Sequence, residues 1–307
     1  MHRDPARTLG QRLIVAVPFL WLAAFFLLPF AIVLKISLAE ATIAQPPYTP
    51  VLDLTRGWAG LKDFFSALSL NSYATLAADP LYLVSYGRSL FIAAVSTLLL
   101  LLIGYPMAYG MARAPRHLQP LLVTLVILPF WTSFLIRVYA WKTILLPEGL
   151  LNTVLMATGL IDSPVLWLDT DKAIFIGIVY SYLPFMVLPL YAVLERMDES
   201  LLEAAADLGA TPLKSFWSVT LPLSLPGIVA GSLLCFIPIV GEFVIPDLLG
   251  GSDSQMIGQT LWVEFYRNGD WPIASAVAVV MLLVLVVPLL LYRRLEARTL
   301  ERRGAPA

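Results

Sequence analysis

Six stretches of this chain, at 13–34, 89–112, 118–136, 173–194, 215–241 and 271–292, contain no Asp, Glu, Lys or Arg. A bilayer core about 30 Å thick is crossed by about 20 apolar residues of helix. Only helices and closed barrels satisfy their backbone groups in lipid, and barrel strands are alternating segments of about 10 residues. The runs therefore predict an all-α polytopic membrane protein with six transmembrane helices. In the fifth run, Pro222 and Pro226 set the expected start of the membrane helix near Leu225. The first run follows Arg3, Arg7 and Arg12 and precedes the small residues Ala39 and Ala41, as a signal peptide would. It exceeds the roughly 7–15 apolar residues of a signal core, so an uncleaved span is expected.

Composition narrows the chemistry. Charged residues make up 13% of the chain, against about a quarter in soluble domains. The single cysteine, Cys235, sits in an apolar run and excludes an internal disulfide or a cysteine zinc cluster. The two histidines, His2 and His117, lie outside the runs and leave no basis for a buried metal site or a histidine triad. With no internal repeat and no long linker, residues 1–307 read as one transmembrane domain, and no nucleic-acid partner is expected.

Orientation follows from the basic residues. One side collects Arg3, Arg7, Arg12, Arg113, Arg116, Arg196, Lys214 and arginines 293, 294, 298, 302 and 303. The other holds mainly Arg56, Lys62, Lys172 and Arg267, with Lys35 and Arg88 at span edges. The positive-inside rule then predicts both termini and the 195–222 loop in the cytoplasm. The long external loop at 35–88 carries Leu61, Phe64, Phe65 and Leu68 at helical spacing, which predicts a short interfacial helix. Asp79-Pro80 reads as N-cap and first helical residue of the second span. Carboxylates populate the outer loops, Asp171, Asp253, Glu264 and Asp270 among them, as positive-inside sorting alone would also produce.

The densest polar segment between the runs is 195–222, with five carboxylates and only Arg196 and Lys214 opposing them. Ser200-Leu201-Leu202-Glu203 has capping-box spacing, which predicts Ser200 as N-cap with Glu203 reaching back. Gly209 would end that helix in the left-handed conformation, and Thr211-Pro212 would start another. Leu201, Leu202, Ala205 and Leu208 form an apolar strip on the first piece.

Glu203-Ala204-Ala205, three residues, Gly209, nine residues, then Val219-Thr220-Leu221-Pro222 resembles the E-A-A-x3-G-x9-I-x-L-P signature of ABC-importer permeases, with Val219 in place of Ile. The resemblance implies an ABC type I importer permease-like fold in a bacterial inner membrane. It implies that Ser200, Glu203, Ala204, Ala205, Gly209, Leu221 and Pro222 couple the spans to a separate ATPase. The expected partners are two copies of that ATPase, a second related permease and an external binding protein, with ligand moving by alternating access. ATP and Mg would be bound by the ATPase, and no cofactor by this chain. Consistently, no glycine here is followed by lysine, so the G-x-x-x-x-G-K-[ST] phosphate loop is absent.

Further stretches, FFLLPFAIVLKISLAE at 25–40, DPLYLVSYGRSL at 79–90, LPFWTSFLIRVYAW at 128–141, GEFVIPDLLGG at 241–251 and DWPIASAVA at 270–278, resemble the polyamine branch of that family. The implied cargo is putrescine, with spermidine or another small solute as alternatives, and the external partner a polyamine-binding protein.

The residues give an independent view of the cargo. Ionisable groups at membrane depth tend to face a cavity or pair with each other. Arg137, at the end of the third run, and Glu242, at the end of the fifth, each just past its last residue, form either an ion pair between helices or part of a ligand site. A diamine calls for carboxylates at its ends and aromatic faces along its methylenes. Glu242, Asp247, Trp131, Tyr139, Trp141, Tyr180 and Tyr182 supply those types. Pro129, Pro184, Pro189, Pro238 and Pro246 can bend their spans toward a cavity. An anion permease would show unpaired basic residues at depth, where only Arg137 qualifies. A secondary transporter predicts inverted repeats and leaves the 203–222 pattern unexplained.

Overall fold

The computed structural model describes the backbone of residues 9–51, 57–251 and 254–304, and side chains from 14 to 290 except 52–56, 61, 252, 253, 287 and 288. Arg3, Arg7, Arg56 and Asp253, and the side chains of Leu61, Arg12 and the C-terminal arginines, lie outside what is described. In chain order the α-helices are α1 (Leu9–Leu22), α2 (Leu28–Ser37), α3 (Gly57–Ser66), α4 (Asn71–Ala78), α5 (Pro80–Ala112), α6 (Gln119–Ile127), α7 (Phe134–Ile144) and α8 (Leu150–Ala157). There follow α9 (Asp171–Leu194), α10 (Ser200–Asp207), α11 (Pro212–Ser215), α12 (Leu221–Val240), α13 (Val244–Leu249), α14 (Ile257–Trp262) and α15 (Trp271–Gly304). Sheet among the described residues is one antiparallel pair, Glu40–Ala41 with Tyr48–Thr49.

Four helical stretches are long and apolar enough to cross a membrane: Ile14–Ser37, Pro80–Ala112, Asp171–Leu194 and Pro212–Val240. The sixth expected span lies in α15, whose described apolar part is Trp271–Val286. The third differs from expectation. Gln119–Trp131 and Phe134–Ile144 meet at 87°, a broken span or a re-entrant loop rather than one rod over 118–136. Pro129 tightens the chain into a 3₁₀ turn at Leu128–Trp131, and Thr132 then becomes extended at φ −98° and ψ 153°. In the fifth span, the helix expected from Pro212 continues through Pro222 and Pro226 to Val240 as one stretch, rather than a separate helix beginning near Leu225.

Prolines 29 and 222 are accommodated in the same way. Each follows a π-helical turn, Ala23–Leu27 or Phe216–Thr220, and the residue just before the proline donates its N–H five residues back, Leu28 to Ala23 O and Leu221 to Phe216 O. A proline ring collides with the carbonyl four residues earlier in a regular helix. The wider turn removes that collision locally, which explains why neither proline starts a helix.

The chain divides into two compact units, Met1–Leu83 with Leu261–Ala307, and Val84–Thr260. In the first, α2 packs on α15, and Lys35 sits over the rings of Tyr48 and Phe64, 5.1 and 5.6 Å from their centroids. A helix forms in the segment where one is expected, α3, with Phe64 buried and Trp58 and Phe65 exposed, but it ends at Ser66, short of Leu68. The Asp79 carboxylate accepts the Leu81 N–H at 2.8 Å and caps α5 as expected. Buried Glu264 accepts from Tyr82 Oη at 3.0 Å and Asn268 Nδ2 at 2.8 Å.

In the second unit α9 and α12 pack along their lengths. Gly227 and Gly231, one turn apart on α12, make this possible. A Cβ at Gly231 would meet Met186 Sδ at 2.9 Å, and one at Gly227 would meet Pro189 O at 3.1 Å. Small residues four apart let membrane helices approach closely.

Candidate functional site

The polar elbow is built from its caps. Asp198 Oδ1 accepts the Ser200 N–H at 3.0 Å, and Asp198 O accepts the Leu201 N–H at 3.3 Å. The capping box is therefore not the one expected: Asp198, not Ser200, closes the start of α10. A carboxylate is a stronger acceptor than a hydroxyl and favours the positive end of the helix. These bonds from Ser200 hold the Asp198 carboxyl below the usual carboxylate range. At the other end Gly209 has φ +79°. Its N–H bonds Ala206 O at 2.8 Å, and the Ala210 N–H bonds Ala205 O at 3.0 Å, a Schellman closure. Thr211 Oγ1 then accepts the Lys214 N–H at 3.4 Å, with Pro212 opening α11 as expected.

The apolar strip splits between two directions. Leu202 and Ala205 are half-buried, while Leu201, Leu208, Leu213 and Trp217 are exposed, Leu208 to 89%. Glu203 and Ala204 are exposed as well. Arg113, in the turn after α5, pairs with Glu199 at 2.7 Å and anchors the start of the elbow. Beside it opens a cavity of about 970 Å³ lined by Arg113, Arg116, Gln119, Tyr191, Glu195 and Glu199 among others.

A second cavity, of about 550 Å³, lies among the 3₁₀ turn, α7, α9 and the end of α12. Phe130, Phe134 and Phe185 provide its rings, and Arg137, Ser181, Tyr182 and Glu242 its polar groups. Glu242 is buried and its oxygens are engaged: Oε2 accepts from Tyr182 Oη at 2.6 Å, and Oε1 from the N–H groups of Val244 and Ile245 at 3.0 and 3.4 Å. An ionised carboxylate has about four acceptor positions, so one remains beyond these three contacts.

The Arg137–Glu242 ion pair is not formed. Among the described residues the ion pairs join Arg88 to Asp171 and Arg113 to Glu199. The Arg137 guanidinium lies over Phe130 and Phe134, 5.0 and 5.9 Å from their centroids. The break at Thr132-Ser133 turns α7 away from α6 and sets Arg137 on α7 near these rings, while Glu242 is committed to the start of α13.

The other candidates divide. Trp141 and Tyr180 meet edge to face at 5.4 Å beside a separate apolar cavity of about 400 Å³. Trp131 and Tyr139 are exposed. Asp247 is exposed and accepts from Gln259 Nε2 at 3.0 Å, outside the Glu242 cavity. Residues not anticipated are Phe130, Phe134, Phe185 and Ser181, although Phe130, Phe134 and Arg137 sit at spacings of four and three. The Arg88–Asp171–Ser254 cluster was also not anticipated; there Ser254 Oγ donates to Asp171 at 3.2 Å.

Long apolar helices, one of them broken, with a capped elbow exposed before the fifth span, are the architecture of a polytopic membrane protein. The chain belongs to the family of binding-protein-dependent transport system inner membrane components, whose pattern matches residues 65–301. It is 39% identical to the spermidine/putrescine transport system permease protein PotB of Haemophilus influenzae over 92% of this chain and 93% of that one. It is 43% identical to PotB of Escherichia coli over 76% of this chain and 85% of the relative. In fold it resembles a bacterial ABC transporter involved in importing the acidic polysaccharide alginate, with TM-score 0.66, 18% identity and 94% coverage of each chain. The fold is thus that of ABC-importer permeases, and the chain is a transport subunit rather than an enzyme.

Proposed function

We infer that this permease carries a polyamine inward across the membrane, driven by an ATPase on separate chains. The observation that carries the reading is the cavity in which the Glu242 carboxylate and Tyr182 face Phe130, Phe134 and Phe185. A carboxylate attracts an ammonium, and aromatic faces suit both ammonium groups and the methylenes between them. The names of the PotB relatives support the same cargo class. Putrescine is the inferred cargo, with spermidine as the alternative.

The elbow supplies the drive. The exposed Leu201, Leu208, Leu213 and Trp217, and the exposed Glu203, offer apolar and charged groups to an ATPase. One elbow per chain calls for a second permease so that two ATPases are engaged, and an external binding protein delivers the ligand. Closure of the ATPases on ATP and Mg moves the elbow and alternates access to the cavity. The arginine distribution orients the elbow and both termini toward the cytoplasm.

The test is uptake of labelled putrescine and labelled spermidine by cells carrying the complete complex as their sole polyamine importer. Saturable uptake of putrescine that excess spermidine weakly inhibits supports the reading. Uptake of neither amine overturns it.

A further inference from the structure

The polyamine cavity already contains a cation. Arg137 is 9% exposed and lines the cavity that holds Glu242 and Tyr182. Its guanidinium lies over Phe130 and Phe134. Its buried Nε has no hydrogen-bond partner, and it makes no ion pair among the described residues. Guanidinium keeps its proton in proteins, so this is a permanent positive charge held mainly by aromatic faces. Burying a charge without an opposing one is unfavourable. A structural role alone would favour an apolar residue here, or a carboxylate partner, and neither is found.

We propose that Arg137 is a resident competitor for the ammonium of the cargo: it occupies the aromatic seat when the cavity is empty and is displaced when a polyamine binds. This rests on the polyamine reading of the cavity. The physical use of such a device is release. A site that conducts must bind well enough to admit a ligand and weakly enough to let it go. Three rings and a buried carboxylate would retain a diamine. A tethered cation that returns to the same rings lowers apparent affinity by the fraction of time the seat is filled. The displaced guanidinium needs somewhere to go, and the open acceptor position of Glu242 lies in the same cavity.

The test uses the complete transporter in nanodiscs for binding and in proteoliposomes for uptake. Wild type, Arg137→Gln and Arg137→Lys are compared using labelled putrescine. Binding is measured without the external binding protein. Arg137→Gln is expected to bind putrescine about 30-fold more tightly, the scale of one desolvated cation–π contact, and to show a lower KM with a lower kcat. Arg137→Lys restores a cation and is expected to stay within about twofold of wild type. Unchanged or weaker binding in Arg137→Gln overturns the proposal while leaving the polyamine reading intact. Should that variant not assemble, Arg137→Met, which keeps an apolar stem, takes its place; failure of both to assemble makes the arginine structural and overturns the proposal. A wild-type complex that hydrolyses ATP but neither binds nor imports putrescine or spermidine overturns the functional reading and the proposal with it.

Discussion

The Tyr182 hydroxyl donates to Glu242 Oε2 across 2.6 Å and ties the middle of α9 to the segment that follows α12. The same carboxylate caps α13 through Oε1. One side chain thereby supplies the carboxylate of the cavity and fixes the geometry of its wall, and the two roles are separable by mutation.

Glu242→Gln removes the charge but keeps an acceptor for the start of α13. Uptake is expected to fall by at least tenfold, with loss of stability of about 1–3 kcal/mol from imperfect pairing. Tyr182→Phe keeps the charge and removes one donor, so its uptake defect is expected to be smaller. Uptake kinetics and thermal unfolding of the purified complex check both. Equal defects in the two variants would show that the hydrogen bond, not the charge, matters.

Gly209 is needed for its backbone and not for space. It has φ +79°, and nothing lies within 4 Å of where a Cβ would be. A β-branched residue in that conformation costs at least about 1–2 kcal/mol, whereas asparagine tolerates it. Gly209→Asn is expected to transport near normally, and Gly209→Val to insert normally but lose uptake. Uptake normalised to membrane-inserted protein distinguishes these outcomes.

The revised cap predicts an asymmetry. Asp198→Ala is expected to destabilise the start of the elbow, and Ser200→Ala to do so less. Hydrogen exchange of the amides from Ser200 to Leu208 reports this. The Asp198 carboxyl lies below its ordinary value through bonds from Ser200. Its contribution is therefore full above the unfolded value of about 3.9 and is lost as pH falls through the lower folded value. Protection at the start of α10 is expected to be flat from pH 7 to about 5.

What was legible in the sequence follows the range of the forces involved. Uninterrupted apolar runs report the spans because lipid excludes charge over their whole length. Gly209 and Thr211-Pro212 report the elbow because each answers a local backbone requirement. The break after Trp131 was hidden, since Thr132 and Ser133 are uncharged and interrupt no apolar run. The continuity of helix from Pro212 through Pro222 was hidden too, because the π turn that admits Pro222 has no residue signature of its own. Ser200 fitted the capping spacing, but Asp198, two residues earlier, offered the better acceptor. The Arg137–Glu242 pair looked natural from depth alone, yet Glu242 was already engaged by Tyr182 and the α13 amides. Such competition between partners distant in sequence becomes visible only after folding.

The central claim is that ATP drives a polyamine through this chain by way of the elbow. Its most direct test is accumulation of labelled putrescine in proteoliposomes containing the complete complex, with ATP and Mg supplied to the ATPases. Wild type is compared with Glu203→Lys, which reverses the charge on the exposed face of α10. Accumulation that requires ATP in wild type and is lost in an assembled Glu203→Lys complex is the predicted result. Accumulation without ATP, or at the wild-type rate in Glu203→Lys, would contradict it.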